Sequence, residues 1–191
     1  MTFIIEQATA VGGGVEWHGT AGAGMDEDAQ QPEDFATVFE SAFARLQVVL
    51  EMACAGGEMV WPERAAVAIR RAFELAAADP VAVGALTSEA LARGVDGVER
   101  YERLMAYVAG LLEGGRAGSP HGAELPPTTE RSLAGGVATI VANRVDRGRA
   151  RELPSLVPEV VQFVLTPYLG TAEARRIAAM SADWPSSQPE R

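Results

Sequence analysis

Apolar side chains recur every three or four residues along most of the chain from residue 32 onward, a period that predicts helices rather than strands. Phe35, Val38, Phe39, Ala42, Phe43, Leu46, Val49, Leu50, Ala53 and Cys54 form one stripe, long enough for about six turns. Pro32 suits the first turn, Glu33 and Asp34 answer the positive end of the helix dipole, and Gly56-Gly57 ends the segment. A second helix opens at Pro62, turns Ala65, Ala66, Ile69, Ala72, Phe73 and Ala76 inward, and closes before Asp79. Asp79-Pro80 then reads as a cap and first turn, predicting a third helix from Pro80 to Arg93, stopped by Gly94.

Asp96 and Glu99 stand at capping-box spacing ahead of a fourth helix, whose inward residues are Val98, Tyr101, Leu104, Met105, Val108, Leu111 and Leu112. Gly114-Gly115 ends it, and residues 116–127, rich in Gly and Pro, read as a loop. Thr128 is placed to cap a fifth helix running to about Arg147, with Leu133, Val137, Ile140, Val141 and Val145 inward. The sixth helix, about Ser155 to Leu169, is apolar nearly all round, and Glu159 is its only charge. Such a helix must be covered on more than one side, and an edge helix of a small domain achieves this through a partner chain. Gly135 and Gly136 on the preceding helix allow close approach, and Thr171 caps a last short helix, Ala172 to Met180. The expected architecture is therefore all-α, a bundle of six or seven helices.

The chain divides by composition into an acidic, Gly-rich tail (1–31), a helical domain (32–182) and a Pro- and Ser-rich tail (183–191). Phe3-Ile4-Ile5 could form a short strand, but a lone strand has nothing to pair with. Residues 1–44 hold eight acids and no Arg, the sequence has no Lys at all, and the net charge is −10. That is the wrong sign for a DNA-binding face, whose affinity comes largely from cations that displace counterions from phosphates. No apolar stretch is long enough to cross a bilayer and no signal-type segment opens the chain, so a cytoplasmic location without membrane contact is expected. One cysteine, Cys54, cannot form an internal disulfide.

Pro32-Glu33-Asp34-Phe35, continuing through Phe39, Phe43, Ala44, Arg45 and Leu46, is similar to the segment where the TetR/AcrR family of transcriptional regulators passes from its DNA-binding module into a connecting helix. Leu133-Ala134-Gly135-Gly136-Val137 and Leu165-Thr166-Pro167-Tyr168-Leu169-Gly170 resemble the two helices with which such proteins dimerise. The order of helices from Pro32 to Met180 thus resembles the C-terminal, ligand-binding and dimerising domain of that family. The stretch that would hold the family's three DNA-reading helices is here Gly-rich and free of Arg and Lys, so DNA binding through this chain alone is not expected. Either the reading frame starts too late, or the chain is a sensor without that module.

The resemblance implies a homodimer, with Leu133, Val137, Ile140, Val141, Val157, Val160, Val161, Val164 and Tyr168 at the interface of a four-helix bundle. It also implies a cavity for a small hydrophobic effector among the helices after the connecting one. Phe43, Leu46, Leu50, Met59, Trp61, Phe73, Tyr101, Leu104, Met105 and Val108 are its candidate lining residues, and the same residues at helical spacing read more readily as plain core.

Little else carries chemistry. His18 and His121 sit in Gly- and Pro-rich segments with no acid or nucleophile at useful spacing, and Cys54 lies on an apolar stripe. No cluster suggests a metal, no phosphate-loop pattern occurs, and no cofactor or catalytic residue is expected. Arg144, Arg147, Arg149 and Arg151 gather where cations answer a helix C-terminus. Two rival readings stand beside the sensor: a helical module that pairs with intact regulators and takes no ligand, and a cofactor-free enzyme using Glu99 or Glu102 beside Tyr101.

Overall fold

The computed structural model describes residues 34–55 and 59–182, so the expected tails at 1–31 and 183–191, the short strand, Pro32 and the Gly56-Gly57 stop lie outside the described residues. Within them the protein is all-helical, as the periodicity predicts. Eight α-helices follow in order: α1 (Phe35–Cys54), α2 (Trp61–Ala78), α3 (Pro80–Leu86), α4 (Ser88–Ala92), α5 (Gly94–Glu113), α6 (Thr129–Asp146), α7 (Val157–Leu169) and α8 (Thr171–Ala182). Two 3-10 segments, Gly122–Glu124 and Ala150–Leu156, lead towards α6 and α7. No helix among the described residues is long and apolar enough to cross a membrane.

Local chemistry accounts for the joints. Asp34 caps α1 by accepting from the Ala36 amide at 3.4 Å. Asp79 caps α3 by accepting from the Ala82 amide at 3.0 Å, and its other oxygen pairs with Arg45 of α1 at 2.8 Å. The third helix is not continuous to Arg93 but divides at Thr87. There the amide bonds Gly84 O, three residues back, while the hydroxyl takes Val83 O at 2.8 Å, a local hydrogen bond that competes with the regular ladder. The Asp96–Glu99 capping box does not begin the next helix either. Gly94, at φ +70°, starts α5 three residues sooner, with Arg93 at the N-cap, and Gly97 lies so close to α4 that a Cβ would stand 2.0 Å from Ala90 O. Thr128 occupies the N-cap of α6 without a side-chain hydrogen bond, and Thr171 is the first residue of α8, after a turn at Gly170 with φ +77°.

Helix α7 buries most of its surface within the chain, and Glu159 and Phe163 are its exposed side chains. Val157, Val161, Leu165 and Tyr168 are fully buried, and the core around α7 takes Ala66 and Phe73 from α2, Ala174, Ile177 and Ala178 from α8, and Leu153 from the preceding 3-10 segment. A second core joins Phe39, Ala42 and Phe43 of α1 to Leu86, Leu104, Met105 and Ala134. Each fully buried Val or Leu contributes about 1.5–3 kcal/mol of apolar burial.

Much of the expected dimer face is covered within a single chain. Leu133, Val141, Val157, Val160, Val161, Val164 and Tyr168 are each at most 8% exposed in a single chain, so they have almost no surface left to offer a partner. Val137 and Ile140 are half-buried against the same core. The physical reason is that α2, α8 and the Ala150–Leu156 segment cover the oily helix from within the chain. Phe163, at 44% exposure, is the large α7 side chain that does face outward.

Candidate functional site

A cavity of about 400 Å³ lies among α1, α2, α3, α5 and α6, with Val164 of α7 closing part of it. Its existence follows from residue size. Helix α2 turns Ala65, Ala68, Ala72 and Ala76 towards this space, a run of small side chains at helical spacing, while α1 and α5 approach with Leu46, Leu50, Leu104, Met105, Val108 and Leu111. Trp61, Ile69, Phe73 and Leu75 of α2 line the same space, and the alanines between them leave a volume that the helices do not close.

Seven of the ten expected lining residues are on its wall: Leu46, Leu50, Trp61, Phe73, Leu104, Met105 and Val108. Three are not. Phe43 is buried in the second core, edge-on to Tyr107 with ring centroids 5.6 Å apart. Tyr101 is half-buried against that core, and burial pushes its phenol up. Met59 is half-buried at the approach to α2, where its carbonyl accepts from Nη1 of Arg64 at 2.5 Å.

The lining is apolar except at Cys54, Arg64 and Thr87. The Thr87 hydroxyl is spent on Val83 O. Burial raises the Cys54 thiol, the Arg64 charge opposing it only in part, so the sulfur stays protonated at neutral pH. Among the described residues Arg64 is therefore the charged group of the wall.

Trp61 is held in place by a chain of contacts running behind it. Its ring stacks obliquely on Tyr168, with centroids 4.8 Å apart, and lies over Gly115, where a Cβ would be 2.4 Å from the indole. The Tyr168 hydroxyl donates to Oε1 of Glu130 at 3.0 Å. Arg116 grips the same carboxylate with two bonds, Nε to Oε1 at 2.8 Å and Nη2 to Oε2 at 2.6 Å, and also donates to the carbonyls of Leu125 and Pro126 at 2.8 Å. Burial alone would raise the Glu130 carboxyl, but hydrogen bonds from Arg116, the backbone and Tyr168 outweigh it and hold the group below the usual carboxylate range. Burial first, and then the adjacent Glu130 carboxylate, pushes the Tyr168 phenol well up. This network fastens the loop before α6 to α6 and α7.

The remaining candidates are placed apart from the cavity. His121 is exposed in its loop, and its amide donates to Tyr168 O; His18 lies outside the described residues. Glu99 and Glu102 are exposed on α5, the latter paired with Arg131. Arg144 and Arg149 both pair with Glu152, at 2.6 and 2.7 Å. Among the described residues no three His, Cys, Asp or Glu side chains gather to hold a metal ion.

Sequence reasoning missed Arg64, which stands in the first turn of α2 between Glu63 and the alanines, and it missed the role of α2 as the small-residue wall. The available signal was the spacing of Ala65, Ala68, Ala72 and Ala76. No protein-family model, curated protein or solved structure matches this chain.

Proposed function

We propose that this chain is the effector-sensing, dimerising part of a TetR-like transcriptional regulator and that it takes a small, mostly apolar ligand between α1, α2, α3, α5 and α6. The observation that carries the reading is the cavity itself, about 400 Å³ with an almost wholly apolar wall. That volume is within the range of small-molecule sites, and a handful of polar atoms in an apolar lining is their usual chemistry. Empty, such a space forfeits the dispersion contacts of the residues around it. A ligand restores them.

Output would run through α1, the connecting helix of the resemblance. Leu46, Leu50 and Cys54 bring one side of α1 to the cavity, so an occupant that binds one setting of this helix better than another shifts its population. Homodimerisation would use the outer faces of α6 and α7. Phe163 is exposed there, Gly136 opposite its ring has no side chain, and a shallow groove is lined by Thr139, Ile140, Leu156 and Glu159. Direct DNA contact by this chain is no part of the proposal. A second reading, a ligand-free interaction module, is favoured by Val81 and Val95, which stand 77% and 76% exposed around the short helices α3 and α4.

Ala72→Phe tests the first reading by filling the cavity. The parent chain should bind a neutral apolar probe such as Nile red saturably and melt at higher temperature with the probe present. In the variant that binding should weaken at least about tenfold, with the unliganded melting temperature kept or raised. Equal binding by the two proteins would contradict the reading, and no binding by either would favour the interaction module.

A further inference from the structure

We infer that the cavity selects amphiphiles with a single negative charge, in the manner of a medium-chain carboxylate, and that Arg64 receives the head group. The inference rests on the proposed ligand-binding function and specifies its ligand class.

The argument begins with the distribution of charge. Among the described residues no Asp or Glu lines the cavity, and Cys54 and Thr87 are the polar side chains that accompany Arg64 on its wall. A guanidinium carries five N–H donors. Here Nη1 is used on the Met59 carbonyl, and no carboxylate among the described residues pairs with Arg64. Most other arginines of the described chain are engaged in ion pairs, Arg45 with Asp79 and Arg116 with Glu130 among them. A half-buried cation on an apolar wall, with donors to spare and no anion supplied by the described residues, is stabilised by an anion that arrives with the ligand.

Position then distinguishes head from body. Arg64 stands at the end of the cavity where α1 finishes, α2 begins and α5 ends, beside Cys54, Trp61 and Gly114. The opposite end, at Ala76, Val83, Leu86 and Thr87, carries no charge, and its one hydroxyl is spent on Val83 O. From Arg64 to Ala76 the axis of α2 runs about 18 Å, so the charge stands at one extremity of this wall. At water's share of about 30 Å³ per small group, 400 Å³ holds about a dozen non-hydrogen atoms. One cation without a second beside it matches a carboxylate better than a doubly charged phosphate, and a carboxylate can take two guanidinium N–H groups in parallel.

The test is calorimetric titration of the full chain with decanoate, decanol and decylamine, all below micellar concentration, against the parent protein and Arg64→Met. In the parent, decanoate should bind about tenfold or more tighter than decanol, because a charge-assisted hydrogen bond separates them, and decylamine should bind weakest. Arg64→Met should abolish the preference for decanoate while leaving decanol affinity within about twofold. If Arg64→Met does not fold, Arg64→Gln takes its place, and the order of the three ligands on the parent chain stands as an independent readout. Decanol binding as tightly as decanoate to the parent, or a decanoate preference that survives the substitution, overturns the inference and leaves the apolar-ligand reading intact. Binding of none of the three overturns both.

Discussion

Replacing Leu165 by Ala probes whether α7 is buried by its own chain or by a partner. Leu165 has no exposed surface and packs in the core that unites α7 with α2 and α8. Truncation removes three carbon groups from that core, about 2.4 kcal/mol at roughly 0.8 kcal/mol per buried methylene, before any cavity is counted. The space left behind in the core shared with Phe73 and Ile177 adds to this, since surrounding structure relaxes only partly, and the expected cost is about 3–4 kcal/mol. In a domain of this size that lowers the melting temperature by roughly 10 °C. Phe163→Ala on the same helix removes a larger side chain, but one 44% exposed, and should cost only about 1 kcal/mol. Urea melts of the two variants and the parent, with sedimentation at low and high concentration, provide the assay. A cost below about 1 kcal/mol for Leu165→Ala, or a change in oligomeric state caused by it, would refute the view that this face is closed within one chain.

Two further outcomes follow from the joints. Asp79→Ala removes both the α3 cap and the Arg45 pair and should cost about 1 kcal/mol, whereas Asp79→Asn keeps a capping oxygen and should cost a few tenths, roughly what an exposed ion pair contributes; denaturation midpoints decide between equal and unequal losses. Glu130 is held below the usual carboxylate range when folded, so its contribution is present above the unfolded value near pH 4.3 and is lost as pH falls through the lower folded value. Glu130→Gln should therefore be clearly less stable than the parent at neutral pH, and the gap should narrow in acid; a gap independent of pH would contradict the role assigned to the Arg116 and Tyr168 bonds.

Much of this architecture is legible in the sequence, and the reasons it is only partly so are physical. The stripes that predict α1, α2, α5, α6 and α7 place those helices within a few residues of their observed ends, because period and caps are local properties. Thr87 and Gly94 elude that reading, since a hydroxyl bonding back to Val83 and a positive φ are choices of the tertiary corner that α3, α4 and α5 make together. Periodicity shows that Val157, Val161 and Tyr168 must be covered but not by what; Ala174, Ile177 and Ala178 of the short α8 do so together with α2 and the Ala150–Leu156 segment. The cavity is legible through its large residues and obscure through its small ones. Leu46 and Met105 announce an apolar surface, whereas Ala68 and Ala72, which leave the room, resemble ordinary helix formers.

The most direct test of the account watches Trp61 from inside the cavity wall. With Trp17 and Trp184 changed to Phe, Trp61 is the sole remaining indole, and a bromine-labelled decanol can quench it only by contact. The account predicts saturable quenching that Ala72→Phe weakens at least about tenfold. Emission that stays constant while the probe is shown by calorimetry to bind, or that is quenched linearly without saturation, would contradict a ligand site between these helices.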